Sequence, residues 1–265
     1  MTLLAHDRYC EAIESQVRQL RDVVASGAAL SATVPTCPDW SLEQLVRHTG
    51  GALRWVELIV RTRAQENIPD EEIPLIEGPE AEGDPAALDA WLAETGEMLV
   101  GTLREAGPDA VVWAWAGVLN SGFWARRMTH ELAIHRADAT LAAGLPYEVA
   151  PDVAADAIDE WLQIVEYVQR TEPHDAAAEL RGLGRSIHLH ATDTTPELNA
   201  EWVVELTEQG VTWRRDHEKA TVALRGPLTA VLLAFYRRLP LDDGQLEILG
   251  ERELLDFWLQ RATFG

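Results

Sequence analysis

Basic residues are scarce in this chain. Against 44 acidic residues stand 22 basic ones, among which Lys219 is the single lysine, and the formal net charge is −22. The pI is near 4.6. A surface of that sign repels phosphate backbones and anionic lipid, which argues against nucleic acid and membrane surfaces as partners. Long apolar runs are missing as well, and none approaches the ~18 residues that a bilayer-spanning helix needs. The opening MTLLAHDRYCEAIESQV has acids in its first turns and no basic patch of the kind that begins a secretory leader. Cysteine is confined to Cys10 and Cys37, enough for one disulfide but not for a disulfide framework. Together these absences read as a soluble, cytoplasmic protein with reduced thiols.

What is present is helical periodicity followed by a change of pattern. The 265 residues suit two modest domains or one large one. Leu4, Ile13, Val17, Leu20, Val23 and Val24 recur at helical spacing over residues 3 to 26 and stop before Gly27. The loop PTCPDW leads to a second helix with a full start signal: Ser41 as N-cap, Gln44 completing a capping box, and Trp40 able to staple against Leu45. That helix continues on Leu42, Leu45, Val46, Thr49, Leu53, Val56 and Val60. An acidic, proline-bearing loop covers residues 66 to 85, and a third helix runs to residue 105 with Leu88, Trp91, Leu92, Met98 and Leu99 inward. After a Trp-rich irregular segment at 112 to 118, a fourth helix spans 121 to 143 and stops at Gly144. Four such helices make a bundle, and a fifth, 151 to 170, reads as a connector. Beyond Pro173 the runs RSIHLHATD, EWVVELTEQG, VTWRRD and KATVALRG read as strands. A helix from Pro227 to Arg238, a strand at LEILG and a last helix at ERELLDFWLQRA complete an α+β organisation. The expected division is a helical bundle with its connector over 1–172 and a small α+β domain over 173–265.

Chemistry concentrates in RRMTHELAIHRADA, residues 126 to 139. His130 and His135 are five apart, about 140° around a helix of 3.6 residues per turn, so they do not share a face. Glu131 and His135 are four apart, about 40° around the axis, and both can address one site. The capped second helix offers His48 beside inward Leu45, Thr49 and Ala52, and residues on facing bundle helices can meet across the core. Gly50 and Gly51 follow it mid-helix, each costing about 1 kcal/mol against alanine; either something approaches the backbone closely there, or the helix kinks. Arg127, Glu131, His135 and Asp138 form a polar stripe on a helix that should bury one face. Three ligands with a fourth position open describe a catalytic zinc. Read by spacing alone, a Glu/His pair is more often a solvated surface pair, and His48 by itself a satisfied or partly exposed histidine. Asp138 is either an acceptor for a ligand histidine N–H or the partner of Arg136 or Arg127. His188 and His190 alternate on one strand face and, with no third ligand beside them, read as sheet surface. Trp113 and Trp115 read as core packing or as the wall of an apolar pocket, and Cys37 as a loop residue rather than a nucleophile.

VPTCPDWSLEQLVRHTGG followed by RRMTHELAIHRADA resembles the mycothiol-dependent maleylpyruvate isomerase family, within the DinB-like superfamily of metal-binding four-helix bundles. The pattern is a Cys-Pro-x-Trp entry leading to a His, and later a His-Glu-x-x-x-His-Arg-x-Asp segment. The C-terminal VALRGPLTAVLLAFYRRLP and LEILGERELLDFWL resemble the sterol-carrier-like α+β domain that follows the bundle. The resemblance covers the whole chain and implies His48, Glu131 and His135 as ligands of zinc or another divalent metal. It implies mycothiol as cosubstrate and a small-molecule electrophile as substrate. The thiolate would add to an electrophilic carbon, either for cis–trans isomerisation of the maleylpyruvate kind or for S-conjugation. Arg127, and Arg238 in YRRLP, are the candidates for holding an anionic substrate, and either can equally be structural. Two rivals stand beside this reading: a non-catalytic metal or small-molecule binding protein on the same scaffold, and a metal-dependent hydrolase.

Overall fold

A computed structural model of the chain describes residues 3–182 and 184–263. Two compact units meet at the bond after Tyr147. In the first, α1 (His6–Ala25), α2 (Leu42–Thr62), α3 (Pro85–Ala106) and α4 (Ser121–Ala143) make the four-helix bundle. α1 and α2 each pack against both α3 and α4. Ile13, Val17 and Leu20 of α1, Leu45, Leu53 and Val56 of α2, Leu92, Leu99 and Leu103 of α3, and Trp124 and Leu132 of α4 fill the core. Each such side chain removed from water contributes on the order of 1.5–3 kcal/mol.

Local signals start and stop these helices. Ser41 accepts from the Gln44 amide while the Gln44 side chain accepts from the Ser41 amide, the expected capping box. Asp84 caps α3 ahead of Pro85, and Asn120 caps α4 through the Phe123 amide. Gly144 ends α4 at φ 66°, a left-handed position that glycine adopts without strain. A short antiparallel hairpin, β1 (Thr33–Val34) and β2 (Cys37–Ser41), delivers the chain to α2. Both cysteines are free thiols, and burial pushes that of Cys10 up to about 11.

One expectation for the bundle changes, and one of two alternatives is decided. Met98 is 37% exposed, not inward. The buried stripe of α3 steps Leu88, Leu92, Thr95, Leu99, and Met98 lies one residue, about 100°, off that line. The close approach at the mid-helix glycines comes from the bundle itself. A Cβ on Gly50 would stand 2.2 Å from the Trp91 ring, and one on Gly51 would stand 2.7 Å from the Ile76 carbonyl oxygen. The loop carrying Ile76 is held to α2 by Arg47, whose guanidinium donates to the carbonyls of Glu77, Pro79 and Ala81.

In the second unit a five-stranded sheet has the order β5-β4-β3-β6-β7, with β3 (Arg185–Ala191), β4 (Glu201–Thr207), β5 (Gly210–Arg214), β6 (Val222–Gly226) and β7 (Glu247–Gly250). β3 and β6 are parallel and the other pairs antiparallel. Helices α5 (Pro151–Thr171), α6 (Leu228–Phe235) and α7 (Arg252–Arg261) complete it. The helix expected to reach Arg238 ends at Phe235, because Arg237 turns left-handed at φ 65° and the Arg238 amide folds back to the Leu233 carbonyl.

α5, expected as a connector on the bundle side of residue 172, packs on α6 and β5. The reason is polar as well as apolar. Its buried Asp159 accepts from Trp202 Nε1 at 2.7 Å and from Arg215 Nη2 at 2.7 Å, and Tyr236 donates to the Ala157 carbonyl at 2.9 Å. No helix among the described residues is long and apolar enough to cross a membrane.

Candidate metal centre

α2 and α4 lie side by side in the bundle, and this packing sets His48 against the polar stripe of α4. His135 Nε2 is 2.9 Å from Glu131 Oε1, and His48 Nε2 is 4.0 Å from the same oxygen. One ligand atom from each of the three residues lies within 4.8 Å of the others. The two imidazoles meet edge to face with centroids 5.2 Å apart. The His48 side chain is 45% exposed whereas that of His135 is 14% exposed, so the cluster opens on the His48 side. Trp40, at the end of β2, lies against the His48 ring at 4.8 Å. His130 is turned away from this face, is fully buried, and meets Tyr9 edge-on at 6.4 Å.

The second nitrogen of His135 is fixed by a neighbour on its own helix. Asp138 Oδ2 lies 3.2 Å from His135 Nδ1, and Asp138 Oδ1 accepts from the Thr36 hydroxyl at 2.6 Å. Asp138 is fully buried. A carboxylate behind the ring makes Nδ1 the donor and leaves Nε2 facing Glu131 and His48, the arrangement typical of a metal-binding histidine. Glu131 has its other oxygen, Oε2, 3.2 Å from Arg127 Nη2. Arg127 is itself buried.

Electrostatics follow from these contacts. Burial alone would raise the Glu131 pKa, yet His135, Arg127 and His48 together hold it far below the usual carboxylate range. Burial alone would lower His135, but Glu131 and Asp138 outweigh it and push it up to about 9. Burial and the nearby His135 hold His48 below its ordinary value, with Glu131 opposing. The two shifts run in opposite directions, favouring the proton on His135 over His48. Two imidazoles and one carboxylate converging from two helices form an N₂O donor set that suits zinc and related divalent ions.

Thr36 was not legible as a site residue in the sequence, since its partner is 102 positions away. Trp113 and Trp115 belong to an aromatic cluster with Trp55, Phe123 and Trp124, and Trp124 Nε1 donates to the Trp113 carbonyl at 2.7 Å. Arg238, in the second unit, donates to the Tyr236 carbonyl at 2.8 Å. His188 and His190, expected to stand without a third ligand, have Glu201 and His217 beside them.

Comparison with known proteins matches residues 10–140 to the Mycothiol maleylpyruvate isomerase N-terminal domain and residues 152–257 to the C-terminal domain of the same family. The chain belongs to the mycothiol-dependent maleylpyruvate isomerase family. A solved structure of the mycothiol-dependent maleylpyruvate isomerase superposes with a TM-score of 0.58 at 16% identity, covering 95% of this chain and 97% of the other. A point mutant of such an isomerase gives a TM-score of 0.53 at 18% identity, with the same coverage. At these identities the likeness concerns the fold. No curated protein matches the sequence. The family and the donor cluster together support a metal-dependent, thiol-using enzyme.

Proposed function

We propose that this chain is a mycothiol-dependent isomerase or S-transferase whose metal, zinc in the first instance, is held by His48, Glu131 and His135. The observation that carries the reading is the convergence of two imidazoles and a carboxylate on one partly open point, in a chain of this family. A bound divalent metal supplies positive charge that stabilises a thiolate over a thiol near neutral pH. The protein's own groups prepare for it. Asp138 orients His135, Arg127 orients and partly neutralises Glu131, and His48, its pKa held down by burial and by His135, stands on the open side.

The reaction needs few further groups. The thiolate sulfur adds to one carbon of an electron-poor double bond, and the electron pair moves onto the conjugated carbonyl. Rotation about the resulting single bond and expulsion of the same thiolate give the trans isomer, with no net oxidation or reduction. In a transferase the sulfur–carbon bond is retained: after conjugate addition the enolate takes up a proton at carbon, and on a dinitrohalobenzene the halide leaves with its bonding pair. An anionic electrophile such as maleylpyruvate would pair with a guanidinium in a bidentate way; Arg127, already paired with Glu131, is the bundle residue to test for that role.

The test uses chelator-treated full-length protein and a small electrophile, either maleylpyruvate or a dinitrohalobenzene. Zinc and mycothiol are added singly and together. Conversion that requires both supports the proposal. Hydrolysis without thiol would assign the chain to the metal-dependent hydrolases, and turnover under neither condition would leave a binding protein.

A further inference from the structure

β3 carries His188 and His190 two residues apart, so both side chains leave the same face of the sheet. Across the antiparallel pair His190 stands opposite Glu201, the first residue of β4. The chain leaving β5 returns past this point. The Asp216 amide donates to the Glu201 carbonyl at 3.2 Å, and His217 follows directly. Three imidazole nitrogens therefore reach a single atom: His188 Nε2, His190 Nδ1 and His217 Nδ1 lie 2.9, 2.8 and 2.6 Å from Glu201 Oε2. The ring centroids are 5.4, 5.3 and 5.5 Å apart, each pair steeply inclined. That is nearly a regular triangle around one point.

We propose that His188, His190, Glu201 and His217 form a second metal site, taking a zinc-class divalent ion in a closed four-ligand shell. A carboxylate oxygen has two lone pairs, so three N–H donors on one oxygen exceed what it can accept. Protonating the rings does not help, because it sets like charges against one another around a single negative charge. A cation near the point of convergence removes the conflict. Each imidazole turns a lone pair inward, and the carboxylate becomes the fourth ligand. The donor set is three nitrogens and one oxygen without thiolate, which favours zinc, nickel or copper over calcium and magnesium.

The surroundings hold these ligands in place. His188 is buried and pinned within the sheet, while His217 is exposed and gives an ion a way in. The segment before His217 is anchored by Arg215, whose guanidinium pairs with buried Asp159 at 2.7 Å and lies over the Trp202 ring. A shell complete in protein ligands leaves no position for a substrate, which makes this ion structural. It would tie β3, β4 and the strand exit after β5 into one unit. The site shares no residue with the bundle cluster, and the inference does not depend on the proposed function.

The experiment titrates chelator-treated full-length protein with zinc alone, by calorimetry and elemental analysis, with His135→Ala removing the bundle site. The wild type is expected to bind two equivalents and His135→Ala one. Adding His190→Gln and His217→Ala in that background should weaken the remaining site by at least about 100-fold, beyond the 10–100-fold typical of losing a supporting residue. His217 is exposed, so His217→Ala alone folds normally, and it should abolish the zinc-induced rise in melting temperature of the His135→Ala protein. The proposal is overturned if His135→Ala binds no zinc, or if its remaining equivalent survives both substitutions with unchanged affinity. A wild type binding one equivalent that is lost only with His190 and His217 would support this site and reject the bundle site.

Discussion

Asp138 stands behind His135 as Glu131 stands in front of it: one carboxylate is 3.2 Å from Nδ1 and the other 2.9 Å from Nε2. The rear carboxylate sets which nitrogen is free for a metal. Asp138→Asn keeps the volume but removes the charge, and zinc affinity at the bundle site should fall about 10–100-fold. Thr36→Val, which removes the hydroxyl bound to Asp138, should give a smaller loss in the same direction. Chelator competition measures both, and equal affinity in Asp138→Asn and wild type would contradict the assignment.

His135→Ala should cost one equivalent of bound metal, as should His48→Ala. His130→Ala is the control. It removes a fully buried ring and should lower the melting temperature, yet keep the metal complement unchanged. Metal lost from His130→Ala while its far-ultraviolet dichroism stays native would make His130, not His135, the ligand.

Arg127 separates two roles kinetically. Its bond to Glu131 points to orientation of the ligand, so Arg127→Lys should weaken zinc binding and depress turnover of anionic and neutral electrophiles alike. A raised KM for the anionic electrophile alone, with metal content intact, would instead mark Arg127 as a substrate contact.

The raised pKa of His135, about 9 against an ordinary 6.5, gives the metal-free protein a pH signature. A group whose pKa rises on folding contributes stability in full below its unfolded value, and that contribution disappears as pH climbs through its folded value. The metal-free protein should therefore lose stability between pH 6.5 and 9, and His135→Gln should lack this component. Zinc must also displace the proton. At pH 7.5 its uptake by the bundle site should release close to one proton, seen as buffer-dependent heats in His217→Ala protein. Heats independent of the buffer would sink this expectation.

Gly50 tests the packing behind His48. Alanine there gains about 1 kcal/mol of helix propensity, but its methyl would stand 2.2 Å from the Trp91 ring. Overpacking of that kind costs about 1–3 kcal/mol, so Gly50→Ala should be net destabilising in a denaturant titration. A more stable variant would show that Trp91 moves aside freely.

What the sequence made legible was local. Ser41 with Gln44, and Gly144 at the end of α4, announced helix limits because capping depends on residues within one turn. The spacing of Glu131, His135 and Asp138 announced a shared face for the same reason. Contacts set by tertiary packing were not readable. α5 shows an apolar face but not what it covers, and its allegiance rests on Asp159 meeting Trp202 and Arg215, more than 40 residues away. His188 and His190 were visible as a pair. Glu201 and His217 join them only through strand register and the return of the chain after β5, which no local pattern encodes.

The hairpin from Thr33 to Ser41 has a consequence for how this fold tolerates insertions and deletions. At one end Thr36 latches onto Asp138; at the other Trp40 rests on His48 and Ser41 begins the helix that carries it. Surface connections usually absorb added or lost residues with little effect. Here the span between Thr36 and Ser41 is a fixed gauge between two histidine mounts. A residue added within it would satisfy the latch or the helix start, but not both together. The length of β2 is therefore as much a specification of the candidate metal centre as the identity of its proposed ligands.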